Sequence, residues 1–102
     1  MQAILTGEFI SSEAAKQHGI CAEVVRHEEL LQFALKKAQK IASYSQPIVA
    51  MAKDCVNQAY ESHLHQGNQY EKKVFWSTFA TKDRLEGMTA FAEKRKPDWK
   101  NE

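Results

Sequence analysis

The residues best suited to chemistry in this chain are its histidines, carboxylates, thiols and one dense run of aromatics. His63 and His65 form an H-x-H pair. On a helix, positions two apart point about 200° from each other, so the pair makes no chelating face of the kind that i, i+4 histidines make. They read as exposed residues at a helix end. His18 and His27 stand alone. Glu13, Glu23, Glu28, Glu29, Glu61, Glu71, Glu86 and Glu93 are each set among polar neighbours. Acid–base work needs a carboxylate desolvated in a pocket, usually with a partner. Only Glu86, followed by Gly87, has an unusual context, and a close helix–helix approach at Gly87 explains it more simply. Cys21 and Cys55 are too few and too far apart for a disulfide framework, and no base is nominated beside either. They read as small core residues in a reducing compartment. No glycine-rich phosphate loop, nucleophile elbow or zinc motif is present. The sequence therefore predicts no catalytic residue, no metal ligand and no bound cofactor.

Tyr70, Phe75, Trp76, Phe79 and Phe91 crowd one helical hairpin. Core packing is the first explanation. An oligomer interface or a ligand wall is the second, because a short helical array cannot hide this many rings on both sides of each helix. The basic run Lys94-Arg95-Lys96 could meet phosphates, but a solvated helix end is the commoner explanation, where cations meet the partial negative charge of the last carbonyls.

The elements that must position these residues are mostly helices. Residues 1–6 look like the end of an apolar element stopped at Gly7. Ser11 to Gly19 reads as one short helix with a capping serine and a closing glycine. Ile20 to Val25 is β-prone, although no partner strand is evident. From Leu30 to Ala42 apolar residues follow the i, i+3, i+4, i+7 pattern, which predicts an amphipathic helix over 27–43. Ser45-Gln46-Pro47 starts a second, with Ser45 as its cap, ending near His63. Gln66-Gly67-Asn68 marks a break. A third helix runs to about Ala80, and Thr81-Lys82-Asp83 offers capping oxygens for a fourth that carries Leu85 to Arg95 and is ended by Pro97. Residues 97–102 form a tail with one anchor, Trp99.

The chain has 102 residues, 43% hydrophobic and 26% charged, with a net charge of +1. That describes one small domain or part of one. So small a net charge creates no global field toward nucleic acid or a membrane, and no apolar run approaches the ~20 residues of a membrane span. Met1 to Gly7 lacks the basic leader of a signal peptide. Taken from the residues alone, the fold class is mainly α: about four to five helices with one short β-prone stretch.

Several segments together resemble one family. Ile4-Leu5-Thr6-Gly7-Glu8-Phe9-Ile10-Ser11 is similar to the "LTG-x-x-I-S" opening of the C-terminal part of the crotonase superfamily. Glu13 to Ile20 resembles its "A-x-x-x-G-L-V" helix, and Val49 to Asn57 looks like a helix of the short-chain enoyl-CoA hydratases. The most specific run is Phe75-Trp76-Ser77-Thr78-Phe79-Ala80-Thr81-Lys82-Asp83-Arg84-Leu85-Glu86-Gly87-Met88-Thr89-Ala90-Phe91, leading into Glu93-Lys94-Arg95-Lys96-Pro97. The resemblance covers essentially the whole chain, and only the back third of such an enzyme.

The resemblance implies residues 1–26 at the end of a spiral core, 27–96 as a helical assembly region that builds trimers or hexamers, and 97–102 as the tail. The spiral core itself is absent. The family hydrates trans-2-enoyl-CoA in fatty acid β-oxidation with two glutamates and an oxyanion hole, all lying before the point where this chain begins. Glu86 and Glu93 match positions that are not the catalytic acids, so the chain alone is expected to be inactive. Phe75 and Lys94 match positions that approach the adenine end of coenzyme A held by a neighbouring subunit. A ring can stack on adenine, and an ammonium can meet its phosphates or ring nitrogens. The implied partners are copies of itself or other crotonase subunits, the missing core and acyl-CoA, in the mitochondrial matrix. Two readings remain open: a fragment or split half of an enoyl-CoA hydratase, or a non-catalytic helical interaction module held in a larger complex.

Overall fold

A computed structural model describes residues 1–102, with six α-helices and no strand. Contacts group the chain into two units, residues 1–37 and 38–102. In the first unit α1 spans Gln2–Thr6 and α2 spans Ser12–Gln17. Ser11 caps α2 by accepting the Ala14 N–H at 3.2 Å. The helix closes through Gly19 at φ 73°, where the Gly19 N–H reaches the Lys16 carbonyl and the Ile20 N–H reaches the Ala15 carbonyl. Ile20 to Val25 departs from the β-prone expectation. It runs as bends and irregular chain, because a strand with no partner leaves its N–H and C=O groups unpaired. The Lys16–Glu23 ion pair at 2.8 Å holds this stretch to α2. A 3₁₀ turn over His27–Glu29 leads into α3, Leu30–Ala42.

The second unit holds the last residues of α3, then α4 (Gln46–Glu61), α5 (Leu64–Ser77) and α6 (Lys82–Ala92). Pro47 lies in the first turn of α4, where its missing N–H is no loss. Ser45 precedes that helix, but its side chain caps nothing. The Gln46 N–H is taken instead by Asn101 Oδ1 at 2.9 Å, a side chain from the far end of the chain. The break expected at Gln66–Asn68 is absent, and the chain turns only at Ser62–His63, near the expected end of the helix before it. Gly67 therefore sits inside α5. A Cβ there would lie 3.5 Å from Ser62 Oγ and 3.9 Å from the Ala59 Cα, so the glycine lies against the end of α4. Packing of α4 on α5 outweighs the ~1 kcal/mol a helical glycine costs. A 3₁₀ turn at Thr78–Ala80 connects α5 to α6, and Thr81 caps α6 by accepting the Arg84 N–H at 3.2 Å.

Pro97 does not end α6. The helix stops at Ala92 through a two-bond closure: the Lys94 N–H to the Phe91 carbonyl at 3.2 Å, and the Arg95 N–H to the Ala90 carbonyl at 3.0 Å. Lys94 takes the left-handed position at φ 55°, which glycine usually fills, and Arg95 lies outside the helix.

Residues 98–102 lie along α6. Asp83, 1% exposed, accepts the Lys100 N–H at 2.8 Å on one oxygen and the Asn101 N–H at 2.9 Å on the other. Its own N–H donates to the Glu102 carbonyl at 3.1 Å, and Lys82 pairs with the Glu102 carboxylate. Burial works to raise the Asp83 carboxyl, yet the polar groups around it hold it below its ordinary value. Among these, the two N–H donors carry the effect, because the buried Ser45 hydroxyl has no hydrogen bond of ordinary geometry. The Trp99 indole N–H donates to the Ser43 carbonyl at 3.0 Å. Its ring lies over Gly87, where a Cβ would stand 3.0 Å from Cη2 and 3.2 Å from Cζ3. Gly87 therefore accommodates the tail, not a second helix.

The only buried residues are Ser45, Asp83 and Ala90. The expected aromatic core is not formed: Phe75, Trp76, Phe79 and Phe91 all remain exposed, and Cys21 and Cys55 are free and half-buried.

Gly87→Ala gives a direct check on the tail. The new methyl gains about 1 kcal/mol of helix propensity but comes within 3.0 Å of a ring whose N–H is held by Ser43, and overpacking of this kind costs about 1–3 kcal/mol. The expected outcome is a small net loss of stability with release of Trp99. In a Trp76→Phe background, acrylamide quenching of the remaining tryptophan should rise. Unchanged quenching would place the indole elsewhere.

Candidate functional site

Phe75 and Lys94 are brought to different settings. Phe75 lies in the last turn of α5, 57% exposed, with its ring edge-on to Trp76 at 5.7 Å and to Phe79 at 5.5 Å. The run Val74-Phe75-Trp76 with Phe79 forces this grouping, since positions three and four apart share a helix face. The Arg84 guanidinium, at the start of α6, stacks 3.5 Å from the centre of the Phe79 ring. Phe75 also lines a cavity of about 470 Å³ with Tyr44, Ile48, Val49, Met88 and Trp99. A second cavity of about 470 Å³ between α4 and α5 shares Ile48, Ala52, Phe75 and Thr78 with the first. Phe75 thus borders both spaces. The first is mostly apolar, with Ser45, Thr78, Asp83 and Arg84 among its lining residues.

Lys94 lines neither cavity. It is exposed, on the turn that closes α6, and makes no ion pair. Its neighbours are fixed. Arg95 Nη1 and Nη2 donate to the two oxygens of Glu86 at 2.6 and 3.0 Å, and Arg95 Nε donates to Glu93. Glu86 Oε1 also accepts the Asp98 N–H at 2.7 Å. The Arg95 guanidinium, then the Asp98 N–H, hold the Glu86 carboxyl well down, at about 2. Arg95 is raised in turn by Glu86 and Glu93. A carboxyl held that low is fully ionised near neutral pH and has no proton to donate.

The remaining candidates are not assembled into a site. His63 precedes α5 and His65 lies in its first turn, both exposed, and no group of three or more His, Cys, Asp or Glu side chains is gathered anywhere. The Cys55 thiol is pushed up by burial and then by Glu71 and Asp54, which disfavours a thiolate. Tyr70, the other member of the aromatic run, hydrogen-bonds Asp54 across α4 and α5, which raises the phenol. Sequence reasoning missed Arg84 and the pairing of Asp83 and Glu86 with the tail. Asp83 had a local signal as a candidate cap, but Thr81 takes that role and Asp83 bonds 17 and 18 residues ahead.

Glu86 and Asp83 both have folded values below their ordinary ones. Their stabilisation is complete above the ordinary carboxylate range and is lost as pH falls through the folded values. For Glu86 that window runs from its ordinary 4.5 down to about 2. Thermal melts followed by helicity should show Tm falling across this window, and Glu86→Gln should flatten the fall. Parallel curves for parent and variant below pH 4.5 would remove Glu86 from the account.

Over residues 1–102 the chain matches the enoyl-CoA hydratase/isomerase family. It is 51% identical over 102 residues to the mitochondrial enoyl-CoA hydratase of Pongo abelii, which aligns 100% of this chain with 35% of that protein. It is 50% identical over 101 residues to the probable mitochondrial enoyl-CoA hydratase of Dictyostelium discoideum, covering 99% of this chain and 36% of that one. The crystal structure of enoyl-CoA hydratase from Bacillus anthracis superposes with a TM-score of 0.91 at 40% identity, over 99% of this chain and 39% of that chain. The chain thus spans about a third of the length of the curated relatives it matches. The helices are part of the crotonase fold, as the motifs from Leu5 to Pro97 imply. On the match along its whole length, this chain belongs to the enoyl-CoA hydratase/isomerase family.

Proposed function

We propose that this chain is the C-terminal, assembly-forming part of an enoyl-CoA hydratase, and that it closes the acyl-CoA site of its neighbours without supplying the reacting groups. The observation that carries this reading is the exposure of its apolar side chains. Tyr60 is 87% exposed and Phe91 84%, and Val56, Leu64, Leu85 and Met88 are exposed as well. Apolar surface on this scale is stable in water only when something covers it. Relatives bearing the hydratase name are about three times as long, which leaves room for that cover in the rest of such a chain.

The reaction adds water across the C2=C3 bond of a trans-2-enoyl-CoA: hydroxyl goes to C3 and a proton to C2. Negative charge develops on the thioester oxygen, and backbone N–H donors aimed at it lower the barrier. Glu86 and Glu93 are both held by Arg95, which suits them to structure and not to the proton transfers. Its share is binding. Phe75 presents an exposed ring to adenine, and Lys94 presents an unpaired ammonium to the phosphates or ring nitrogens of coenzyme A held by a neighbouring subunit. The names of the two eukaryotic relatives support a mitochondrial location.

Hydration of crotonyl-CoA, followed as loss of the enoyl absorbance, tests the division of labour. The purified chain is expected to give no turnover. Turnover that follows the chain through purification would place a catalytic site on its own residues. In the native assembly, purified through a tag on this chain, Lys94→Glu should weaken coenzyme A binding by roughly tenfold, the equivalent of about 1.4 kcal/mol, with helicity unchanged. An assembly of unrelated proteins with no affinity for coenzyme A would favour the interaction-module reading instead.

A further inference from the structure

Three cations follow one another at Lys94, Arg95 and Lys96, and the structure sorts them. Arg95 alone is paired, by Glu86 on two oxygens and by Glu93, while Lys94 and Lys96 make no ion pair. The sorting follows from side-chain shape. A guanidinium fork matches a carboxylate at two points, and an ammonium does not. The single Glu86 carboxylate then reaches both sides of the turn, holding Arg95 on one side and the Asp98 N–H on the other. Arg95 Nη1 also donates to the Lys96 carbonyl at 3.2 Å, which ties the intervening residue into the same cluster.

Lys94 needs such a hold. Its φ of 55° is a left-handed conformation that a residue with a Cβ adopts reluctantly. The two backbone bonds that close α6 define this conformation, and Arg95 supplies the N–H of one of them. Fixing Arg95 therefore fixes the residue before it.

We propose that Glu86 is a positioning residue for Lys94: its carboxylate clamps residues 95–98 onto α6 and so fixes the Lys94 backbone, and with it the direction in which the uncommitted side chain leaves the turn toward the anionic part of coenzyme A. The clamp rests on the reading of Lys94 given above. It assigns Glu86 a role that is neither acid–base chemistry nor direct contact with the ligand.

A double-mutant cycle tests it, with coenzyme A titrated into the native assembly carrying Lys94→Ala, Glu86→Gln, or both. Lys94→Ala should weaken binding roughly tenfold. Glu86→Gln should weaken it several-fold, and the double variant should be no weaker than Lys94→Ala alone, because Glu86 acts only through Lys94. Amide hydrogen exchange at Arg95 and Asp98 should speed up in Glu86→Gln. Weakening by Lys94→Ala with full affinity and unchanged exchange in Glu86→Gln would overturn the clamp alone. Equal weakening by Glu86→Gln with and without Lys94 would also overturn it, since the effect would then be general damage. Full affinity in Lys94→Ala would overturn the reading of Lys94 beneath it. If Glu86→Gln loses helicity, Arg95→Lys takes its place with the same expectations, because it keeps the charge and loses the fork.

Discussion

Two carboxylates three residues apart on α6 hold the end of the second unit together. Asp83 takes the backbone N–H groups of Lys100 and Asn101, and Glu86 takes that of Asp98 together with the fork of Arg95. Backbone donors that would otherwise need water are satisfied by charged acceptors, the stronger class of hydrogen bond. Much else follows from this. Trp99 is delivered to Gly87 and to the Ser43 carbonyl, and Asn101 is delivered to the first N–H of α4. One polar hold thus brings the tail, the start of α4 and α6 into one group.

The apolar side of the molecule is organised differently. Each helix has the apolar residues its periodicity demands, yet Ala90 is the only apolar residue fully buried. The faces of α4, α5 and α6 present Val56, Tyr60, Phe75, Leu85 and Phe91 to solvent. Helix formation needs only local periodicity and caps, whereas burial needs partners of matching shape. A chain spanning about a third of its relatives' length has the first without enough of the second.

Phe75 and Lys94 fall on different sides. Phe75 belongs to the apolar side, bordering two cavities within an aromatic group that Arg84 flanks. Lys94 belongs to the polar side, on a turn flanked by the bonded Arg95 and Asp98.

The sequence by itself determined the helices and most of their ends. Ser11, Gly19, Pro47 and Thr81 act where their types predict, because capping and backbone preference involve residues within four or five positions. The specific run from Phe75 to Pro97 also carried the family, and with it the fold. What the sequence could not settle lies at longer range. Gly67 sits inside a helix because α4 packs beside it, and Ile20 to Val25 forms no strand because no partner exists. Pro97 does not end α6, because Lys94 has already done so in a conformation its type disfavours. The bonds from Asp83, Glu86, Ser43 and Gln46 to the tail span 12 to 56 residues. No local pattern encodes pairings over such distances. Only the folded chain could decide that a glutamate which looks like an exposed helix residue closes the turn beside Lys94.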